Sequence, residues 1–260
     1  MSGLGAVKAP LTLVTGASSG IGAEIAREAA RRGHRLVLTA RRADRIEALA
    51  TELGAVAAIP ADLGETGGVP GLLAELARRE IAVDILVNNA GFGRHGHVAT
   101  IAAELQTGQI DLNIRALTEL TVALLPPMIA RGAGGILNVA SLAAFQPGPN
   151  VAVYFATKAY VLSFTEALHE EVKGSGVHVT ALCPGPTRSE FAEVAKLDAT
   201  AAFRSGSLIA EAGPVARAGL DALERNHAVI VPGFANKVAV FGNRLVPRSV
   251  SRRIAGRLQR

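Results

Sequence analysis

The sequence is poor in cysteine and in aromatic side chains. Of its 260 residues only Cys183 is a cysteine, none is a tryptophan, and two are tyrosines. A single cysteine excludes an internal disulfide and a multi-cysteine zinc site, and it suits a reducing compartment. The scarcity of aromatic rings leaves few surfaces on which nucleic-acid bases could stack. Because 49% of the residues are hydrophobic and 19% are charged, the composition also excludes a disordered chain.

Long hydrophobic runs are missing as well. No stretch approaches the roughly 20 apolar residues that cross a bilayer, so a membrane-spanning helix is not expected. The early apolar run at 11–15 is short and leads straight into a glycine-rich turn, unlike the apolar region of a signal peptide. We therefore expect a cytoplasmic protein. The length suits one large α/β domain with a core of its own.

Acidic residues are absent from the last part of the chain. No Asp or Glu follows Glu224, whereas eight of the 27 basic residues do: Arg225, Lys237, Arg244, Arg248, Arg252, Arg253, Arg257 and Arg260. In residues 1–224 the other 19 basic residues are outnumbered by 22 acidic ones. The isoelectric point of about 9.9 therefore comes from the basic tail. A basic surface over the whole protein is not indicated, and we expect no nucleic-acid partner.

The remaining sequence alternates between short apolar runs and helical spacings. Strands are predicted at 11–15, 35–40, 56–60, 85–88, 135–139, 177–183 and 228–231. Helices are predicted at 21–32, 42–53, 69–80, 102–131, 153–173 and 207–225, with a kink or a break at Pro126 and Pro127. Such alternation is typical of parallel βαβ units in a doubly wound, Rossmann-like sheet with helices on both faces.

The first strand runs into a glycine-rich turn and then a helix. The spacing of the turn is G-x-x-x-G-x-G, and glycines there allow a tight bend and a close approach to a pyrophosphate at the helix N-terminus. The alternative is a bare connector between strand and helix. The position at the first strand–helix junction favours a cofactor site. The predicted cofactor residues of the turn are Gly16, Ser18, Ser19, Gly20, Ile21 and Gly22.

The end of the second strand indicates which cofactor is preferred. A site for NAD places an acidic side chain there, and a site for NADP places a cation there. This strand ends in Thr39, Ala40, Arg41 and Arg42, without an acid at its tip. Arg41 can make a bidentate contact with a phosphate, and Arg42 adds charge. We predict a preference for NADPH, the alternative being a solvated helix start.

Tyr154 and Lys158 form a candidate catalytic pair. They lie four residues apart in a predicted helix, so their side chains share a face. A phenol has a pKa of about 10 in water, and a nearby ammonium group lowers that pKa. A tyrosine tuned in this way can act as a general acid or base near neutral pH. The alternative is an ordinary surface pair, because this spacing is common.

Two further polar residues fall near the predicted active edge of the sheet. Ser141 follows the strand at 135–139, where a hydroxyl can hydrogen-bond a substrate carbonyl or simply cap a turn. Asn113 lies inside a long helical stretch, although asparagine is a poor helix former. This local misfit favours a functional role, and a tolerated buried asparagine is the alternative.

These residues together resemble one family, the short-chain dehydrogenase/reductases, over about residues 10–232. Each motif alone is modestly specific, but the order and spacing of the whole set match. In chain order the matching positions are the cofactor turn at 15–22, the NADP-type Arg41, the adenine-contacting Asp62, the sheet-steadying Asn88, Asn89, Ala90 and Gly91, the catalytic tetrad of Asn113, Ser141, Tyr154 and Lys158, and the nicotinamide-facing Pro184 and Gly185.

The resemblance implies a seven-stranded parallel sheet, NADP(H) as the cofactor, and roles for the tetrad. Tyr154 would exchange a proton with the substrate oxygen, and Ser141 would polarise the carbonyl. Lys158 would hold the nicotinamide ribose and lower the Tyr154 pKa, while Asn113 would hold a water that relays protons to Lys158. After Gly185 the sequence departs from the family's pattern. The residue expected to contact the nicotinamide there is either Thr187 or Ser189.

The function expected from the resemblance is hydride transfer between NADP(H) and a carbonyl or secondary alcohol. One catalytic domain is expected over 1–232, with a substrate lid at about 187–225. Open alternatives are a dehydrogenase in the oxidative direction, an epimerase, and a non-catalytic NADP-binding sensor or scaffold. A set of apolar residues has two open interpretations: they wall a pocket for an apolar ketone or acyl-type substrate, or they simply pack the lid. These residues are Leu142, Phe145, Pro147, Phe191, Val194, Leu197, Phe203 and Leu208.

The basic extension at 233–260 contains two short amphipathic stretches. Val238, Phe241 and Leu245 recur at helical spacing, and so do Val250, Ile254 and Leu258. Arginines beside an apolar stripe suit peripheral contact with an anionic membrane. The stripes also suit packing on the body of the protein or on a neighbouring subunit. We expect a homo-oligomer, and no metal site is indicated by His95, His97 or His169.

Overall fold

Seven parallel strands form a single sheet in the computed structural model, which describes residues 8–197 and 209–258. The strands are β1 (Leu11–Thr15), β2 (Arg35–Ala40), β3 (Ala57–Pro60), β4 (Ile85–Asn88), β5 (Gly134–Val139), β6 (Val177–Leu182) and β7 (Val229–Ile230). Their order across the sheet is β3-β2-β1-β4-β5-β6-β7. The predicted doubly wound, Rossmann-like fold is confirmed.

The central strands are apolar on both faces because helices cover both faces. Leu13 on β1 lies opposite Val37 on β2 and Leu86 on β4, and all three are buried. Chain order reverses between β1 and β4, and ligands of such sheets bind beyond the carboxyl ends of the strands at this reversal. The fold therefore places the glycine-rich turn after β1 beside the segment after β4.

The helices flank the sheet in two layers. The described helices are α1 (Gly20–Arg31), α2 (Ala43–Leu53), α3 (Gly68–Arg78), α4 (Ala103–Ile110), α5 (Leu117–Arg131), α6 (Ala152–Glu171), α7 (Phe191–Ala195), α8 (Ala212–Glu224), α9 (Phe234–Leu245) and α10 (Arg248–Leu258), with a π-helical turn at Asp111–Ala116 and a 3-10 turn at Leu142–Phe145. Side chains of α1, α2 and α8 pack on one face through Ile25, Ile46 and Leu220, and those of α3, α5 and α6 pack on the other.

The helix predicted at 102–131 differs from expectation in two ways. A π-helical turn, Asp111–Ala116, interrupts it, and Pro126 and Pro127 cause no break because α5 continues to its end at Arg131. The two prolines remove backbone donors to the carbonyls of Val122 and Ala123, which lie on the exposed face where water can bind them.

The helix predicted at 207–225 begins later than expected. Glu211 has an extended backbone, so α8 starts at Ala212, and Ala210 instead forms a parallel bridge with Thr187. This bridge fastens the chain before α8 to the segment that follows β6. Ser207 and the expected pocket residues Phe203 and Leu208 lie outside the described residues.

One described helical stretch, Ala103–Arg131, is long and apolar enough to cross a membrane by length and composition alone. Its inner face packs into the fold, because Leu120 and Met128 are buried against the sheet. It also supplies Asn113 to the functional site. We therefore describe this stretch as a helix of the α/β fold.

Candidate active site

A cavity of about 480 Å³ opens at the carboxyl ends of the central strands. Its size is that of a small-molecule site. Gly22 and Asn113 lie behind its wall, whereas the other predicted site residues line it: Gly16, Ser18, Ser19, Gly20, Ile21, Arg41, Asp62, Asn89, Ala90, Gly91, Ser141, Tyr154, Lys158, Pro184, Gly185 and Thr187.

The glycine-rich turn has a backbone that other residues would not permit. Gly16 has a φ of +65°, in the left-handed region that favours glycine. A Cβ on Gly22 would lie 2.3 Å from Asn89 Nδ2 and 2.4 Å from the Gly16 carbonyl oxygen. No side chain caps the start of α1 at Ser19, so its first backbone N–H groups are available for an anion. The turn therefore fits the pyrophosphate of a dinucleotide.

Hydrogen bonds lock this turn to the segment after β4. Thr15 Oγ1 accepts from the backbone N–H groups of Asn89 and Ala90 at 3.0 Å each, and it donates to the Val87 carbonyl at 3.1 Å. Asn89 Nδ2 donates to the Thr15 carbonyl at 2.9 Å and to the Gly16 carbonyl at 3.2 Å. Asn89 therefore positions the turn as well as lining the cavity.

The two arginines after β2 differ in their surroundings. The Arg41 side chain is 71% exposed, and its Nη1 lies 3.7 Å from Asp62 Oδ2 at the cavity rim. Arg42 is engaged within the protein: Nη2 donates to Ser18 Oγ at 2.9 Å and to Ser19 Oγ at 3.0 Å. Arg41 is thus the more exposed cation at the cavity rim and can meet a phosphate, while Arg42 holds the glycine-rich turn.

Glu190 is a cavity residue that the sequence reasoning missed. It accepts a 2.8 Å hydrogen bond from Arg42 Nη1 and also pairs with Arg45. The hydrogen bonds from Arg45 and then Arg42 lower the pKa of Glu190 to about 2. Glu190 therefore ties the segment after β6 to the start of α2. No local pattern marks this residue, because its partners lie about 145 positions earlier in the chain.

Tyr154 and Lys158 meet at the cavity as expected, but their electrostatics differ from the prediction. Burial raises the pKa of Tyr154 to about 12, and the hydrogen bond with Ser141 opposes this rise. The Lys158 ammonium lies 5.8 Å from the ring centroid of Tyr154 and donates to the Val139 carbonyl at 2.7 Å. The expected lowering of the Tyr154 pKa by Lys158 is therefore wrong for this structure, and Tyr154 is a protonated phenol at neutral pH.

Burial also acts on Lys158. It lowers the pKa of this ammonium to about 8, because the side chain lies among apolar atoms. At neutral pH the site therefore holds a neutral phenol beside a lysine that still carries a proton. This is the protonation state that suits donation of a proton from Tyr154.

The structure confirms one of the two interpretations of Ser141, the turn cap, while a hydrogen bond to a substrate carbonyl stays a prediction. Its Oγ accepts a 3.1 Å hydrogen bond from the backbone of Ala143, which caps the 3-10 turn Leu142–Phe145. The same side chain hydrogen-bonds Tyr154 and lines the cavity. The turn cap thus fixes the hydroxyl beside the phenol.

Asn113 lies in the π-helical turn and is buried behind the cavity. Its Oδ1 accepts from the Phe92 backbone at 3.0 Å, while Nδ2 donates to the Phe92 carbonyl at 2.9 Å and to Thr157 Oγ1 at 3.0 Å. The side chain therefore fastens the segment after β4 to α6. Turns of this kind often lie at functional sites. Its role in a proton relay stays a prediction.

The segment after β6 closes one side of the cavity. The Pro184 carbonyl accepts from the Leu142 backbone at 2.9 Å, which joins this segment to the 3-10 turn. Thr187 Oγ1 donates to the Gly185 carbonyl at 2.9 Å, and Ser189 Oγ donates to the Thr187 carbonyl at 3.3 Å. Both hydroxyls line the cavity, and the choice between them as nicotinamide contact stays a prediction.

Apolar side chains wall the cavity near Tyr154. Leu142, Phe191, Val194 and Leu197 line it, in agreement with the first of their two open interpretations, and Phe155 lines it as well. The Phe191 ring covers Tyr154, with centroids 5.2 Å apart. For Phe145 and Pro147 the pocket interpretation is wrong, because neither residue lines the cavity. Among residues 8–197 and 209–258, no group of three His, Cys, Asp or Glu side chains could hold a metal ion.

Replacing Lys158 by methionine is expected to stabilise the cofactor-free protein at pH 7. The lowered pKa of Lys158 means that burial destabilises its charged form by roughly 3 kcal/mol. The substitution also leaves the Val139 carbonyl without a hydrogen bond, which offsets about 1–2 kcal/mol of the gain in stability. The free energy of unfolding should therefore rise by about 1–2 kcal/mol in urea titrations.

The pH dependence of this difference follows from the sign of the shift. The folded protein releases the Lys158 proton above about pH 8, while the unfolded chain retains it to about pH 10.5. Wild-type stability therefore rises over this window and the advantage of Lys158→Met disappears. Lys173→Met, at an exposed position, is the matched control and should change little. A Lys158→Met protein that is less stable than wild type at pH 7 would contradict the assigned burial cost.

Comparisons with known proteins agree with this geometry. A family model described as short chain dehydrogenase matches residues 10–199. Oxidoreductase UcpA of Salmonella typhimurium is 37% identical over 194 residues, covering 73% of this chain and 74% of that protein. A short-chain dehydrogenase from Sphingobium yanoikuyae in complex with NADPH has 36% identity and a TM-score of 0.80, covering 91% of this chain and 94% of that one. The bulky-bulky ketone specific alcohol dehydrogenase from Comamonas testosteroni has 30% identity and a TM-score of 0.76, covering 91% and 92%.

Proposed function

The chain belongs to the short-chain dehydrogenase/reductase family and is an oxidoreductase, and from that premise we propose that it reduces an apolar ketone or acyl-type carbonyl with NADPH. The observation that carries the proposal is the buried position of the Tyr154 hydroxyl, where burial raises its pKa and keeps it protonated at neutral pH. This hydroxyl is buried at the apolar end of a cavity whose other end is the glycine-rich turn. A proton donor and a dinucleotide cradle thus share one enclosed space.

One end of the cavity binds the cofactor. The N–H groups at the start of α1 bind the pyrophosphate, and Arg41 binds the phosphate that distinguishes NADPH from NADH. NADPH, when bound, supplies the hydride that adds to the carbonyl carbon. Asn89 and Arg42 keep the glycine-rich turn in the shape that this binding requires.

At the apolar end, this chain's side chains handle the carbonyl oxygen. Ser141 donates a hydrogen bond that orients the oxygen, and Tyr154 transfers its proton to that oxygen as negative charge develops. Solvent returns the proton to the tyrosinate that remains, once the alcohol has left the cavity. Phe191 and Phe155 exclude water from the reacting end of the cavity.

The substrate class is proposed from the cavity wall. Leu142, Phe155 and Phe191 offer apolar surface beside Tyr154, while the charged residues Arg41 and Asp62 lie at the cofactor end. A substrate that is apolar except for one carbonyl group fits this arrangement of apolar and charged residues. The relative from Comamonas testosteroni is specific for bulky ketones, which supports the same class for this chain.

The test is NADPH consumption by the full chain with a panel of apolar ketones, aldehydes and 3-oxoacyl thioesters. We expect turnover with bulky apolar carbonyls and much slower turnover with small, charged ones. Phe191→Ala should raise KM for the bulky substrates, because it removes apolar surface from the cavity wall beside Tyr154. NADPH binding without turnover of any panel member would contradict the reductase and favour a cofactor-binding sensor.

A further inference from the structure

Helix α9 exposes a continuous apolar stripe. Phe234, Val238, Phe241 and Leu245, here called the tail stripe, recur at helical spacing and are 83%, 54%, 64% and 71% exposed. The face of α9 on the opposite side is the one that contacts the body, where Asn243 Nδ2 donates to the Phe145 carbonyl at 2.6 Å. The exposed stripe is thus not a loosely packed core face, because α9 contacts the body of the protein through polar residues on its opposite face.

Helix α10 is joined to α9 and also exposes apolar side chains. Its Ser251 and Ala255 are buried, and Ser251 Oγ donates a 2.5 Å hydrogen bond to Asn243 Oδ1, which joins the two helices. Val250 and Ile254 are exposed beside this contact. The two helices therefore form one attached unit with apolar side chains on its outer side.

The charge around the tail stripe has one sign. Within the described part of the tail, α9 and α10 carry six cations and no anion: Lys237, Arg244, Arg248, Arg252, Arg253 and Arg257. In residues 8–197 and 209–258 none of these six forms an ion pair, although sixteen such pairs exist elsewhere. Arg252, Arg253 and Arg257 line one cleft together with Pro149. Charges that the protein itself does not neutralise are available to an external anionic surface.

We propose that the tail stripe and the six cations of α9 and α10 dock this protein on an anionic phospholipid bilayer. Phenylalanines and aliphatic side chains enter the boundary between headgroups and acyl chains, and the arginines bind lipid phosphates. A second copy of the tail fits less well, because pairing two tail stripes brings two sets of cations together without an acid between them. The inference depends on the tail alone and not on the proposed reaction.

Vesicle sedimentation with the full chain tests the proposal. We expect the protein to pellet with vesicles of phosphatidylglycerol and phosphatidylcholine, to stay in solution with phosphatidylcholine alone, and to be released as salt increases. Phe234→Ser with Phe241→Ser should lower the bound fraction about tenfold, and so should Arg253→Glu with Arg257→Glu. The matched controls Val56→Ser and Arg225→Glu, at exposed positions outside α9 and α10, should pellet as wild type does.

A fluorescent reporter gives an independent readout because the chain contains no tryptophan. Phe241→Trp should show a blue shift and quenching by brominated lipids when anionic vesicles are added, whereas Val56→Trp should show neither. Tyr154→Phe should bind vesicles as wild type does, which separates this test from that of the reaction. Equal pelleting with and without the tail changes would overturn the proposal. A change in oligomeric state without vesicle binding would overturn it in favour of self-association.

Discussion

Replacing Tyr154 by phenylalanine is expected to lower kcat by about 10²–10⁴-fold, the usual contribution of a positioned proton donor. The substitution removes only the hydroxyl, and the ring keeps its contacts with Phe155 and Phe191. Binding of NADPH should therefore stay within a few-fold of wild type. Steady-state kinetics with the best carbonyl substrate, together with NADPH titrations, measure both quantities.

The chain offers a matched control in its only other tyrosine. Tyr160 lies on the same helix, but it is partly exposed and its hydroxyl bonds Thr118 outside the cavity. Tyr160→Phe should leave kcat unchanged. If Tyr154→Phe retained wild-type turnover, proton donation by Tyr154 would be wrong, whatever the result for cofactor binding.

The second large effect concerns the choice between NADPH and NADH. Arg41→Asp is expected to lower kcat/KM for NADPH by about 10²-fold, because a charge-assisted contact worth roughly 1.5–3 kcal/mol is lost and a like charge replaces it. The same change should raise kcat/KM for NADH, since an acid at this position can bind the ribose hydroxyl. Parallel kinetics with both cofactors measure the ratio.

Substitution of Arg42 separates direct contact with the cofactor from positioning of the glycine-rich turn. Its guanidinium holds Ser18, Ser19 and Glu190, so Arg42→Ala should weaken NADPH and NADH by similar factors. Only Arg41→Asp should change the ratio between the cofactors. An unchanged ratio in the Arg41 variant would remove Arg41 as the basis of NADPH preference.

The fold was predictable because its signals are local. The apolar run of β1, the glycine-rich turn and the start of α1 follow one another without interruption, and each needs only its own residues to be identified. The same holds for β2 and β4. The bounds of α8 were not predictable in this way, because Ala210 pairs with Thr187, a contact between distant segments.

The site was predictable in its membership but less so in its electrostatics. The spacing of Tyr154 and Lys158 places them on one face, yet it does not reveal that the ammonium donates to the Val139 carbonyl of a neighbouring strand. Nor does it reveal how deeply the phenol is buried, and burial decides the direction of its pKa shift. Glu190 was missed for the same reason, since its arginine partners are distant in sequence.

The most direct test of the account is the fate of deuterium when both hydrogens at the reactive carbon of NADPH are replaced by it. In single-turnover reactions with an apolar ketone, mass spectrometry should find the label on the former carbonyl carbon of the alcohol, with the rate reduced at least a hundredfold in Tyr154→Phe. An alcohol without the label, or equal rates for the two proteins, would contradict hydride transfer assisted by Tyr154.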